Sequence, residues 1–334
     1  MIGRARPSLR GAFLAAATLA ALTLPRVAAA QGDRYALIVE GASGEPQYAE
    51  LHRAWLDALV KVLRDDFKYD AAHLVVLAET AKPGEERATA ENVKAAMARL
   101  AKSVKAPDQL FVMFIGHGTA DAAGAKFNLI GPDLAVPEWA ALLKPIPGRI
   151  AVVDATAGSF PFLAGLAGPN RVVITATSRN AQVFHSRFAE GFVAALKTAA
   201  ADTDKNGRIS LLEAFNYASR QVAQYYEQAG NKATEQAMLD DTGDGVGIQS
   251  GTAGTDGTAA GLMYLDALAM PKSNDPEVQQ LLVRQQTLMQ QVDDLRRRRA
   301  SMPADEFDRE FEKVIIDLAL VSRDVRKRTG GQQL

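Results

Sequence analysis

Between Asp202 and Glu213 the chain sets oxygen donors at a fixed rhythm: Asp202, Asp204 and Asn206 on alternate residues, then Ser210, then Glu213 as the twelfth residue. Gly207 stands sixth, where a sharp turn favours a residue without a Cβ, and the Arg208 carbonyl is placed to act as the seventh-position ligand. A hard cation that takes about six to eight oxygens, calcium above all, is what such a set suits, with Glu213 bidentate and Ser210 acting through a water. Two other loops carry a different chemistry. Gly116-His117-Gly118 offers an imidazole, and Asp154-Ala155-Thr156-Ala157-Gly158-Ser159 offers hydroxyls 39 and 42 residues after His117. An imidazole beside a hydroxyl is the base-and-nucleophile pairing of acyl transfer.

Stepping from residues to elements, Tyr35 to Glu40, His73 to Leu77, Gln109 to Ile115, Arg149 to Val153 and Arg171 to Ala176 are short, nearly continuous apolar runs. Helical spacing of apolar residues separates them, over Glu50 to Phe67 and over Thr89 to Val104. Strands buried on both faces belong to parallel sheets covered by helices, so the expected fold is α/β, a three-layer αβα sandwich. In such sheets ligands gather at the carboxyl ends of strands, which is where both chemical loops fall. A histidine between two glycines at a strand end is expected to carry an exposed ring.

The 202–213 loop fits the EF-hand pattern at every defining position. Helices predicted over Phe188 to Ala199 and Leu211 to Gln228 flank it, with Phe192, Leu196, Ile209, Leu212 and Phe215 available for packing. A partner loop is degenerate. Aligning Gly245 as position 6 puts Asp240, Thr242 and Asp244 at positions 1, 3 and 5, but position 12 is Gly251. An unpaired loop on a rigid core suits a structural calcium site rather than a groove-opening sensor.

From the Gly-His-Gly and Asp-Ala-Thr segments, the chain resembles the caspase-like cysteine peptidases, and among them the legumain-type C13 group, over roughly residues 33 to 245. The resemblance implies His117 as the catalytic histidine and the Gly118 amide as an oxyanion donor. It implies a cysteine where Thr156 stands, and the chain has none. A threonine hydroxyl is far less acidic than a thiol, and its extra methyl stiffens the rotamer and crowds attack. Two readings remain open. One is a pseudoenzyme that binds a peptide or protein; the other is a hydroxyl-dependent hydrolase using Thr156 or Ser159 with His117.

Among the other histidines, His52 and His73 read as packing or surface residues, and His185, with Arg179 and Asn180, as groove-lining. Residues 246–260 read as a flexible loop and Gly261 to Leu268 as a last strand. The expected domain limits are 1–30 for a secretory signal, 31–270 for the α/β domain and 271–334 for a helical hairpin. Helices from Asp275 to Met302 and from Ala304 to Arg328 form that hairpin, a coiled-coil appendage whose surface could serve a homodimer. Its basic runs, Arg296 to Arg299 and Arg323 to Arg328, read as a solvated, salt-paired surface.

Arg4, Arg6 and Arg10, the apolar run Ala12 to Leu24 and Ala28-Ala29-Ala30 form the secretory pattern, so a periplasmic or secreted protein is expected. The chain of 334 residues is 48% hydrophobic and 23% charged, which suits a globular protein with a sizeable core. Losing residues 1–30 removes four arginines and no acid, taking the formal charge from −1 to −5. Such a balance offers no sign of a general nucleic-acid binder, and the absence of cysteine excludes disulfides and thiolate metal sites.

Overall fold

The computed structural model describes residues 32–121, 124–179, 185–267, 273, 275–299 and 302–328. The segment expected to be a secretory signal and Asn180 lie outside these residues. β1 (Arg34–Glu40) is followed by α1 (Pro46–Lys61), which begins four residues before Glu50 because Pro46 is preset for the first helical turn and has no amide to lose. A wider turn, 62–66, extends α1. β2 (Leu74–Ala78) and β3 (Glu86–Arg87) precede α2 (Ala90–Ser103), whose Thr89 cap accepts the Asn92 amide at 3.3 Å.

β4 (Gln109–Ile115) runs into a small antiparallel sheet that apolar periodicity does not reveal, made of β5 (Gly118–Asp121), β6 (Gly124–Phe127) and β7 (Leu134–Ala135). α3 (Val136–Leu143), β8 (Arg149–Asp154), α4 (Phe160–Leu166) and β9 (Arg171–Thr175) follow. Then come α5 (Phe188–Ala195), α6 (Leu211–Gln228), β10 (Met238–Asp240), β11 (Ile248–Gln249) and α7 (Thr258–Gly261). α8 (Pro276–Arg298) and α9 (Ala304–Arg328) form the hairpin.

The main sheet has the order β11-β10-β9-β8-β4-β1-β2-β3, parallel from β3 through to β9 and antiparallel at β10 and β11. Alternation within each strand divides the core in two. Ala36, Ile38, Phe111 and Met113 face α1, α5 and α6, while Leu37, Val39, Val112 and Phe114 face α2, α3 and α4. The three-layer sandwich is therefore present, with both faces of β4 fully buried. The hairpin has its own apolar seam, centred on Val278, Leu282, Leu288, Val321 and Val325.

Three local expectations are corrected. α5 stops at Ala195 rather than Ala199, because Lys197 and Thr198 donate to Ala194 and Ala195 and tighten the last turn. Residues 261–267 form no strand; Tyr264 makes a single antiparallel bridge to Ser210, and Leu211 donates to the Met263 carbonyl at 2.9 Å. The 246–260 segment is not a plain loop. It contributes β11 to the sheet edge and most of α7, whose first amides are held by Asp241. No described helix is long and apolar enough to cross a membrane.

Candidate functional site at the strand ends

β4 and β8 are adjacent and parallel, so Gly116-His117-Gly118 and Asp154-Ala155-Thr156 emerge side by side at the carboxyl edge of the sheet. The loops touch. A Cβ on Gly118 would lie 2.5 Å from Thr156 Oγ1, and one on Gly158 would lie 2.6 Å from the Gly118 carbonyl carbon. Only glycines allow two backbones to close on each other in this way. Thr156 is 0% exposed, and its hydroxyl is sealed from solvent.

Beneath it Asp154 is fully buried. Its Oδ1 accepts the Thr156 amide at 3.0 Å, and burial pushes its carboxyl up to about 7 against the opposing pull of Thr156. Ser159, the other hydroxyl of this loop, is also buried and is engaged with Thr177: the two oxygens are 3.1 Å apart, and Ser159 Oγ accepts the Thr177 amide.

The expected exposed ring of His117 is not found, for the residue is 4% exposed. Aromatic side chains close over it. Tyr48 of α1 meets it edge-on at 5.0 Å between ring centroids, and His52 of α1 lies at 5.1 Å. His185 stacks on both Tyr48 and Trp55, and is 6.0 Å from His117.

Three of the four histidines in the chain thus converge on one spot. His185, expected to line a groove, joins this cluster, and His52, expected as a packing or surface residue, packs inside it. It is 0% exposed, and neither ring nitrogen meets a partner among the described residues. Burial pulls its pKa down to about 3 and that of His185 to about 4, so both are neutral imidazoles near pH 7. Glu40 at the end of β1 joins this edge as a second buried acid, raised to about 7 chiefly by burial. His73 lies elsewhere, against Tyr35.

Candidate cation loops

In the 202–213 loop three acids draw together. Carboxylate oxygens of Asp202, Asp204 and Glu213 lie within 4.8 Å of one another and could hold a metal ion. Asp202 accepts the amides of Asn206 and Gly207, Asn206 accepts that of Arg208, and Gly207 turns with φ of +81°. Glu213 reaches back across the loop: Oε1 accepts the Thr203 amide at 2.8 Å, and Oε2 accepts both the amide and hydroxyl of Ser210, closing a capping box at the start of α6. Those bonds hold its carboxyl below the usual range despite burial. The Arg208 side chain pairs with Asp266 and lies 3.8 Å over the Tyr264 ring.

The Asp240 turn is less degenerate than its sequence. Asp240 accepts the Gly245 amide and Asp244 that of Val246, as Asp202 and Asn206 do in the first loop. Asp256 stands in for the missing twelfth-position acid: its Oδ1 accepts the amides of Asp241 and Thr242, the second and third residues of the turn, as Glu213 does for Thr203 and Asp204. Asp240, Asp244 and Asp256 form a second group whose carboxylate oxygens could hold a metal ion.

No protein-family model matches the chain, and no curated protein matches it. Among solved structures it is similar to the crystal structure of protein GSU0716 from Geobacter sulfurreducens, at 13% identity and a TM-score of 0.42, over 67% of this chain and 96% of that one.

Proposed function

We propose that this is an exported, calcium-stabilised protein of the caspase-like, C13-peptidase type that binds a peptide or protein and does not cleave it. One observation carries the reading: the residue at the nucleophile's position, Thr156, is wholly buried with its hydroxyl against Gly118. A nucleophile must reach a substrate carbonyl to within about 3–3.5 Å. The resemblance asks for a Gly-His-Gly and an Asp-Ala-x at adjacent strand ends, and the neighbouring β4 and β8 agree with that. The alternative nucleophile, Ser159, is spent on Thr177.

Calcium is the ion of choice for the first loop because its donors are hard oxygens in a twelve-residue frame, and an exported protein meets it in abundance. The Ala28 to Ala30 cleavage pattern is the basis for export. The test is turnover of peptide and ester substrates by the purified protein, with His117→Ala as control. No turnover above that control is expected. Hydrolysis abolished by His117→Ala would replace the binding reading with the hydroxyl-dependent hydrolase.

A further inference from the structure

α9 presents two stripes to its surroundings. Phe307, Phe311, Val314, Leu318, Val321 and Val325 recur at intervals of three and four and turn inward, the later ones forming the seam with α8. At 100° per residue, Ile316 sits about 180° from the centre of that stripe. It is 51% exposed, and Leu320 one turn on is 44% exposed. These two branched aliphatic residues lie at the middle of a 25-residue helix whose ends are charged with opposite sign. Residues 305–312 carry Asp305, Glu306, Asp308, Glu310 and Glu312 against Arg309 alone, a charge of −4, and residues 320–328 carry Arg323, Arg326, Lys327 and Arg328 against Asp324, a charge of +3.

We propose that this outer face of α9 is a homodimer interface, in which α9 of a second copy packs antiparallel about a two-fold axis near residue 318. The apolar patch is then self-complementary, Ile316 of each copy meeting Leu320 of the other, as an isologous contact requires. Each acidic half lies along a basic half. Glu310 and Arg328 are paired with α8, and among the remaining charges a parallel pairing would set acidic half against acidic half and basic half against basic half, a repulsion that selects the antiparallel arrangement. The two hairpins together make a four-helix bundle, with the inner seams of each hairpin untouched.

Sedimentation of the purified protein across a concentration series should give a mass approaching two chains, and the double substitution Ile316→Glu with Leu320→Glu should return it to one chain. Both residues point outward, so the helical circular dichroism of the variant is expected to stay unchanged. Orientation is read separately, because the chain has no cysteine to interfere. On mild oxidation Ala319→Cys, beside the axis, should form a disulfide-linked dimer, and Asp305→Cys, far from its own copy across the axis, should not. A mass of one chain at every concentration, a dimer that survives the double glutamate variant, or cross-linking through position 305 would each overturn the proposal.

Discussion

At the scale of single residues, the strand-end site is dominated by burial, and burial has a pH signature. His52 is neutral in the fold, with a pKa drawn down to about 3, while the unfolded chain titrates near 6.5. Its contribution to stability is complete above 6.5 and is lost as pH falls below it, at up to about 1.4 kcal/mol per pH unit. His52→Leu should therefore gain on the parent as pH falls from 7.5 to 5, by about 2 kcal/mol in chemical denaturation.

Asp154 works in the opposite sense. Its folded pKa is raised from 3.8 to about 7, so its contribution is full below 3.8 and is lost as pH rises toward 7. Asp154→Asn, which keeps an acceptor for the Thr156 amide, should gain on the parent across that rise. If the pH profiles of either variant and the parent run parallel, burial is not what sets these ionisations. The contact between Gly118 and Thr156 yields a second test. Gly118→Ala drives a methyl to 2.5 Å from Thr156 Oγ1 and should cost about 1–3 kcal/mol. Adding Thr156→Ala removes the obstructing oxygen, so the pair should be less damaged than the sum of the single variants, a coupling that a double-mutant cycle reads directly.

At the scale of elements, Glu213 has two duties that substitutions can separate. It closes the capping box of α6 through Ser210, and it completes the acidic group of the loop. Asp204→Asn retains an oxygen for the Asn206 amide and removes only charge. In chelator, Asp204→Asn should melt close to the parent, while Glu213→Ala should be destabilised by about 0.5–2 kcal/mol for the lost cap. With calcium, both should lose most of the rise in melting temperature that the parent shows. Equal melting of the two variants in chelator would mean that the cap contributes nothing.

The legibility of these elements follows from how local their causes are. Five of the six parallel strands stand out as apolar runs because their faces are buried, and the 202–213 loop stands out because its oxygen donors fall within twelve consecutive residues. The cluster of His52, His117 and His185 has no such mark, since its members come from a helix, a strand end and a distant loop. Asp256 carries no mark either, since it serves the Asp240 turn from outside the twelve-residue frame. The β5–β7 sheet is short, and half of β5 and β6 is exposed, which leaves no apolar run to read.

At the scale of the whole molecule, the cation loop and the histidine cluster occupy opposite ends of the same sheet. Tyr264 bridges to Ser210 of the loop, and its carbonyl accepts Gln109 Nε2 at the start of β4. Next to it, the Leu265 carbonyl accepts Arg34 Nη1 at 2.7 Å at the start of β1. His117 and Thr156 lie beyond the far ends of β4, seven residues long, and β8, six residues long, about 20 Å away along the strands. A cation held by Asp202, Asp204 and Glu213 would therefore protect the strand-end site only through the stability of the common core.

That separation makes a buried reporter informative. Thr156→Cys would be the sole thiol in the chain, and in the native state it should react slowly with a thiol reagent and rapidly in denaturant. If exposure requires the core to open as a unit, calcium must slow labelling by the factor 1 + [Ca]/Kd, about 100-fold at a hundredfold excess over Kd. We expect that proportional slowing. A labelling rate indifferent to calcium, alongside a calcium-dependent melting temperature, would instead show that the strand-end loops around Thr156 open locally, without the core. The closed site would then be a gate, and the case for a binding protein with a sealed nucleophile position would fail at its central observation.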